Sequence, residues 1–259
     1  MLSNNRISFV KSLQQKKKRY EERLFVAEGD KLVREYLQSS FEVTEVYAGT
    51  EWLRRHGQLV QPGCESFGAA PRDLERITSL VTAPEVIAVV RIPQTEINTA
   101  EYFKDLTLVL DGIRDPGNLG TIIRTADWFG IHRIVASEDC AEQWNPKVVQ
   151  SSMGSLIRVK VVSKQLPAFF DELKNAAVQS SSAVPPVYGT FMNGENVYSA
   201  ALSKDALIVI GNEANGIRTE TEAFITKRIS IPSYAPAQGP ESLNAAIATA
   251  LTVAEFRRR

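Results

Sequence analysis

Cysteine and histidine are scarce: 259 residues hold only Cys64, Cys140, His56 and His132. Two thiols so far apart make neither a disulfide framework nor a thiolate metal site, and two imidazoles leave a zinc site without ligands. The same shortage removes a Ser–His–Asp relay. Net charge is missing too. Thirty basic side chains balance thirty acidic ones, so no global field draws the chain to a polyanion and any basic surface must be local. No apolar run approaches the roughly 18 residues of a membrane span, and no secretory leader is recognisable. The expectation is a soluble, cytoplasmic protein without a metal. Gly112, Gly117 and Gly120 are wrongly spaced for G-x-G-x-x-G, and no G-x-x-x-x-G-K-[ST] occurs, which sets aside a nicotinamide dehydrogenase and a P-loop enzyme.

What is present is a chain with 44% hydrophobic residues, long enough for two modest domains. Short strands are expected at 24–27, 43–48 and 86–90, and helices at 31–37 (capped by Asp30), 52–56 and 74–80. They make a small α/β unit ending near Pro93, so domains are set at 1–93 and 105–259 around a polar linker, 94–104. The first 25 residues are locally basic. Lys16, Lys17, Lys18, Arg19 and Arg23 read first as a solvated helix face, with a phosphate-contacting patch as the alternative.

The second unit is organised around residues 106–133. Leu106 to Leu110 is an apolar run suited to a strand buried on both faces. Asp111, Gly112, Asp115, Pro116, Gly117 and Asn118 form a loop. Leu119, Ile122, Ile123 and Ala126 then keep helical spacing, with Asn118 as the expected N-cap and Gly130 as the stop. Strands follow at 131–136, 157–162, 187–191, 206–210 and 228–231, with helices at 145–153, 166–178 and 220–226. Ser242 is the expected cap of a last helix carrying Leu243, Ala246, Ile247, Ala250, Leu251 and Ala254. Alternating strands and helices argue a parallel doubly wound sheet. In such sheets, ligands sit outside the carboxyl ends of the strands. Trp52, Trp128 and Trp144 are assigned to packing, and the terminal arginines to a frayed end.

Three loops stand at such carboxyl ends: Asp115-Pro-Gly-Asn-Leu-Gly…Arg124, Gly211-Asn-Glu-Ala-Asn-Gly-Ile217, and Ile231-Pro…Glu241-Ser-Leu-Asn244. In that order they resemble the three motifs of the SpoU (TrmH-type) 2′-O-ribose RNA methyltransferases of the SPOUT superfamily, over about residues 106–256. Phe25-Val-Ala-Glu-Gly-Asp-Lys-Leu-Val and Val86-Ile-Ala-Val-Val are similar to the small α/β substrate-binding domain that precedes many members. The resemblance tips the basic segment towards RNA contact.

That resemblance implies a parallel sheet closed by a deep trefoil knot, S-adenosylmethionine (AdoMet) as cofactor, RNA as partner and a homodimer packed through the catalytic domain. Nothing in strand order alone suggests a knot. It also implies catalytic roles for Asn118, Arg124, Glu213, Ser242 and Asn244. A cofactor pocket is implied at Gly211, Asn212, Gly216, Ile231 and Leu243. Arg124 is often given the role of base in such enzymes, yet a guanidinium stays protonated up to about pH 12 and is a poor base. A bidentate hold on the neighbouring phosphate suits it better. Two departures stand out. Ser233 to Pro240 is longer than usual, with Ser233 in place of Met, and Ala245-Ala-Ile247 replaces Val-Ser-Val. The preferred substrate is 23S-type ribosomal RNA, since many minimal tRNA enzymes lack the first domain. The alternatives are tRNA and a non-catalytic RNA-binding protein of the same fold.

Overall fold

The computed structural model describes residues 2–235 and 242–258. The chain forms two compact units, Met1–Gln94 with Glu142–Ile157, and Thr95–Ala141 with Arg158–Arg259.

In the first unit, helices α1 (Asn4–Ser12) and α2 (Lys16–Glu22) precede β1 (Leu24–Glu28), α3 (Asp30–Leu37), β2 (Val43–Ala48), α4 (Thr50–His56), β3 (Glu65–Gly68), α5 (Pro71–Ile77) and β4 (Val86–Arg91). The four-stranded sheet runs β1-β4-β2-β3, with β4 antiparallel to both neighbours and β2 parallel to β3. Ile7 and Val10 of α1 and Leu74 and Ile77 of α5 pack with Val26, Tyr47, Ile87 and Val89 of the sheet. Two expected boundaries shift. Gly29, at φ +100, occupies the N-cap of α3 and Asp30 falls inside its first turn. There Asp30 accepts from Arg34 and from the Trp52 indole at 2.8 Å. Helix α5 starts at Pro71 because proline suits the first helical position, where no N–H is needed, and it is over by Ile77.

The second unit opens before β5 (Leu106–Asp111). Half of the expected linker is folded: Asn98 caps a 3₁₀ turn, Thr99–Phe103, in a reciprocal capping box with Glu101, and Tyr102 is buried in the core. Next come α6 (Pro116–Trp128) and β6 (Arg133–Ser137). Helix α7 (Pro146–Ser152) belongs to the first unit. Its approach is held there by Trp144 stacked on Phe25 at 4.7 Å and by Glu142 paired with Arg19. The chain returns with β7 (Lys160–Lys164), α8 (Leu166–Ser180), β8 (Val187–Asn196), β9 (Ala206–Gly211), α9 (Thr219–Glu222), β10 (Lys227–Ser230) and α10 (Ala245–Arg258).

All six strands of this sheet are parallel, in the order β10-β8-β9-β5-β6-β7. Strands β5 and β9, central and apolar up to their last residue apart from a buried Thr107, are buried on both faces as a covered parallel sheet requires. Phe169, Phe170 and Leu173 of α8 cover Val109, Val135 and Val209. Strand β7 starts three residues later than expected, since 155–157 is a 3₁₀ turn. Helix α10 starts at Ala245, where Asn244 rather than Ser242 accepts from Ala246 and Ile247 N–H groups. Its buried face is Ala245, Ala246, Thr249, Val253 and Phe256, whereas Ile247 and Leu251 are 52% and 38% exposed. Trp52 and Trp144 are buried, but Trp128 is 85% exposed, because the buried face of α6 is Leu119, Ile122, Ile123 and Ala126. Arg257 is not frayed: it donates to the Phe129 and Gly130 carbonyls and pairs with Asp105 at 2.8 Å. Among the described residues, no helix is long and apolar enough to cross a membrane.

Candidate active site

The three loops meet through side chains of the second unit. Asp115, not Asn118, caps α6, accepting the Asn118 N–H at 2.8 Å with Pro116 at the first helical position. A three-residue spacing puts the cap's oxygen on the third N–H, so Asn118 sits inside the first turn and its amide is spared for other partners. It has two. The Asn118 Nδ2 donates to the Glu213 carboxylate, and Asn118 Oδ1 accepts from Asn244 Nδ2 at 2.9 Å. Since Asn244 Oδ1 is engaged with the first N–H groups of α10, each amide has one consistent orientation. Ser242 Oγ donates to the Glu213 carbonyl at 3.3 Å. Asn118, Glu213, Ser242 and Asn244 therefore form one hydrogen-bonded cluster across separations of 95 and 126 residues.

Arg124 is exposed and makes no side-chain contact of this kind with another described residue. Helical geometry places it about 9 Å along the axis from Asn118 and about 120° around it. The structure thus joins four of the five expected catalytic residues and leaves Arg124 on the open face of the same helix.

The second loop is self-closed. Asn212 and Gly216 exchange backbone hydrogen bonds of 3.0 and 2.8 Å, and Asn212 Oδ1 accepts from Ala214 and Asn215. Gly216 has φ +67, open to glycine at low cost. A Cβ on Gly211 would run into the Gly216 carbonyl carbon and the Ile217 nitrogen. Asn212 Nδ2 also donates to the Gly112 carbonyl at 2.9 Å, tying the second loop to the first. Ile231 is half-buried and Leu243 exposed, and residues 236–241 of the long third loop lie outside the described residues.

Sequence reading gave no role to two neighbours. Asp111, only 1% exposed, accepts from the backbone N–H and Nε of Arg218 at 3.0 and 2.6 Å. Arg218 also reaches Asp139 at 3.5 Å, which Arg114 meets at 3.0 Å. Desolvation alone would raise the Asp139 carboxyl, but hydrogen bonds from Ser137 and Arg114 hold it below the ordinary aspartate value. The middle of β8 has no role in the sequence reading either. Sheet order puts β8 between β9 and β10, so residues 190–194, which bulge out of register against β10, emerge between the second and third loops. No motif marks them; only strand order does.

In the first unit the basic segment divides. Lys16 and Lys17 are exposed on α2, Lys18 pairs with Glu21 at 2.7 Å, and Arg23 is exposed at the end of the helix. Arg19 does not belong with them. It is 1% exposed, donates to the Leu13 and Gln14 carbonyls at 2.9 and 2.8 Å and pairs with Glu142, so no RNA phosphate reaches it.

Residues 105–254 match the SpoU rRNA methylase family, and residues 4–88 match the MRM3-like substrate binding domain. The chain is 32% identical to the Bacillus subtilis 23S rRNA (guanosine(2553)-2′-O)-methyltransferase RlmP over 98% of its own length and 96% of that protein. Among solved structures, a protein of the TrmH family from Porphyromonas gingivalis superposes with a TM-score of 0.86 at 38% identity, covering 100% of this chain and 99% of that one. AviRb, the SpoU methyltransferase of Streptomyces viridochromogenes, in complex with AdoMet gives 0.87 at 26% identity, covering 99% and 98%. The chain belongs to the SpoU rRNA methylase family.

Proposed function

We propose that this protein transfers a methyl group from AdoMet to a ribose 2′-hydroxyl of 23S-type ribosomal RNA. One observation carries the reading: Asn118, Glu213, Ser242 and Asn244, drawn from three separate loops, converge in one hydrogen-bonded cluster. A chain that only bound RNA would have no need of it. The relatives support the substrate, since those from Bacillus subtilis, Streptomyces viridochromogenes and Neisseria meningitidis are all named as 23S rRNA 2′-O-methyltransferases.

The residues fit the cofactor. Gly211 packs bare backbone directly against the Gly216 and Ile217 backbone, which keeps the second loop tight, and the aliphatic side chains of Ile231 and Leu243 stay partly open. Backbone groups and aliphatic carbon suit a nucleoside with a sulfonium, and Gly211, Asn212, Gly216, Ile231 and Leu243 would hold it. When bound, it supplies an activated methyl group. The chain's own residues do the rest. The Asn244–Asn118–Glu213 series fixes a carboxylate oxygen in place, Ser242 pins the backbone carrying it, and Arg124 holds the phosphate beside the target ribose and polarises its hydroxyl. Rate enhancement then comes chiefly from positioning. An Arg124→Lys enzyme should lose most activity, because one ammonium cannot replace two parallel N–H donors; full activity would end the bidentate role.

The first domain, residues 1–93, would hold RNA through Lys16, Lys17, Lys18 and Arg23. Ile247 and Leu251 on α10 and Trp128 on α6 are exposed apolar side chains that would serve a homodimer through the catalytic domain, and α10 would pass through an earlier loop as a trefoil knot. The test uses rRNA and tRNA from a strain lacking the protein, incubated with methyl-labelled AdoMet. Label on rRNA is expected. Label confined to tRNA would overturn the substrate, and none on either would overturn the activity.

A further inference from the structure

We infer that Asp111 and Arg218 are positioning residues that clamp the second loop shut and so aim Glu213; the inference rests on the functional reading above and deepens it. Glu213 sits in a loop that leaves the sheet at Gly211 and ends at Arg218, the N-cap of α9. Asp111 grips both ends. Through the β-ladder it lies opposite Gly211. Through its carboxylate it takes the backbone N–H of Arg218 at 3.0 Å and the Arg218 Nε at 2.6 Å, with Nη2 at 2.5 Å. A loop of this length is held by the separation of its ends, and one buried side chain here sets that separation.

The choice of residue types follows from burial. A carboxylate without solvent needs its lone pairs satisfied by charged or backbone donors, and Arg218 offers both kinds from one residue. A lysine could supply charge but not the planar pair of donors. The same Nη2 also lies 3.5 Å from Asp139, which Ser137 Oγ meets at 2.7 Å. Ser137 Oγ also accepts the Gly112 N–H at 2.9 Å. The clamp is thus built into the carboxyl ends of three strands, β9, β5 and β6, and it ends on the backbone next to Asp111. None of these groups contacts Asn118 or Asn244, so their effect on the catalytic cluster passes through the loop carrying Glu213.

Such action through another residue has a signature that loss of stability lacks. In a double-mutant cycle, Arg218→Gln should lower kcat at least about tenfold in the wild-type background and less than about twofold in a Glu213→Gln background. KM for RNA should stay within about twofold. An equal loss in both backgrounds would overturn the clamp. A second readout needs no activity. In ¹⁵N-labelled protein the side-chain amide pair of Asn118, assigned by its disappearance in Asn118→Asp, reports the hydrogen bond to Glu213. Arg218→Gln should move that pair to the position it takes in Glu213→Gln, and Arg218→Lys should move it part of the way. A pair left at its wild-type position would overturn the inference. Arg218→Gln leaves the buried Asp111 carboxylate without its guanidinium and costs stability, so the amide shift is read on protein shown to be folded, and Arg218→Lys, which keeps the charge, is the milder variant. Should the wild-type protein methylate no RNA, the functional reading fails, while the amide shifts still decide whether Arg218 aims Glu213.

Discussion

Asn118 illustrates how one residue's role depends on its neighbour. It has the chemistry of a helix cap, but Asp115 three positions earlier takes the cap and frees the Asn118 amide for Glu213 and Asn244. Asn118→Ala should therefore cost activity more than stability: kcat lower by about 100-fold, in the range for losing one preorganised donor, with the unfolding midpoint nearly unchanged in a thermal scan. Arg19 is the opposite case. Its guanidinium is sealed against Glu142, and Arg19→Ala would strand a buried carboxylate. Removing one partner of such a pair costs about 3–5 kcal/mol, which urea unfolding would read directly. Asp139 adds a pH dependence. Its folded value lies below the unfolded value of 3.8, so its contribution to stability is complete above that value and is lost as pH falls through the folded one. Asp139→Asn should flatten part of the acid limb of the stability curve; an unchanged limb would contradict the assignment.

At the scale of elements, α6 and the central strands were legible because each carries one clear period. Leu106 to Leu110 is apolar but for Thr107, and Leu119, Ile122, Ile123 and Ala126 turn the same face inward that spacing indicates. Helix α10 is ambiguous in sequence for a physical reason. It is apolar nearly all round, so the stripe through Ile247 and Leu251 suits an interface and a core equally, while the face carrying Thr249, Val253 and Phe256 is the one buried. Small alanines and threonines let the helix approach α6 closely, leaving its larger side chains outside. Strand β3 escaped because Glu65-Ser-Phe-Gly68 is a short edge strand with one large apolar residue. If the outer stripe is a dimer surface, Ile247→Lys with Leu251→Lys should give a monomer in sedimentation analysis. The exposed positions should hold stability within about 0.5 kcal/mol; a dimer that survives both substitutions would place the interface elsewhere.

For the whole molecule, motif order carried the family and the site, while the path of the chain did not show. The residues 142–157 have no compositional mark, yet they fold with the first unit through contacts such as Arg19 with Glu142, 123 positions apart. Pattern and propensity are local; pairings of that reach are visible only in three dimensions. The same limit hid the Asp111–Arg218 contact, 107 positions apart, although both residues border recognised motifs.

The most direct test of the account is a map of 2′-O-methylation on ribosomal RNA from cells lacking the protein, complemented with wild type or with Asn118→Ala. A methylated ribose blocks alkaline cleavage of the bond that follows it. The account predicts one protected position in 23S-type RNA with the wild-type gene, absent without it and lost with Asn118→Ala. Identical cleavage ladders in all three strains would contradict it.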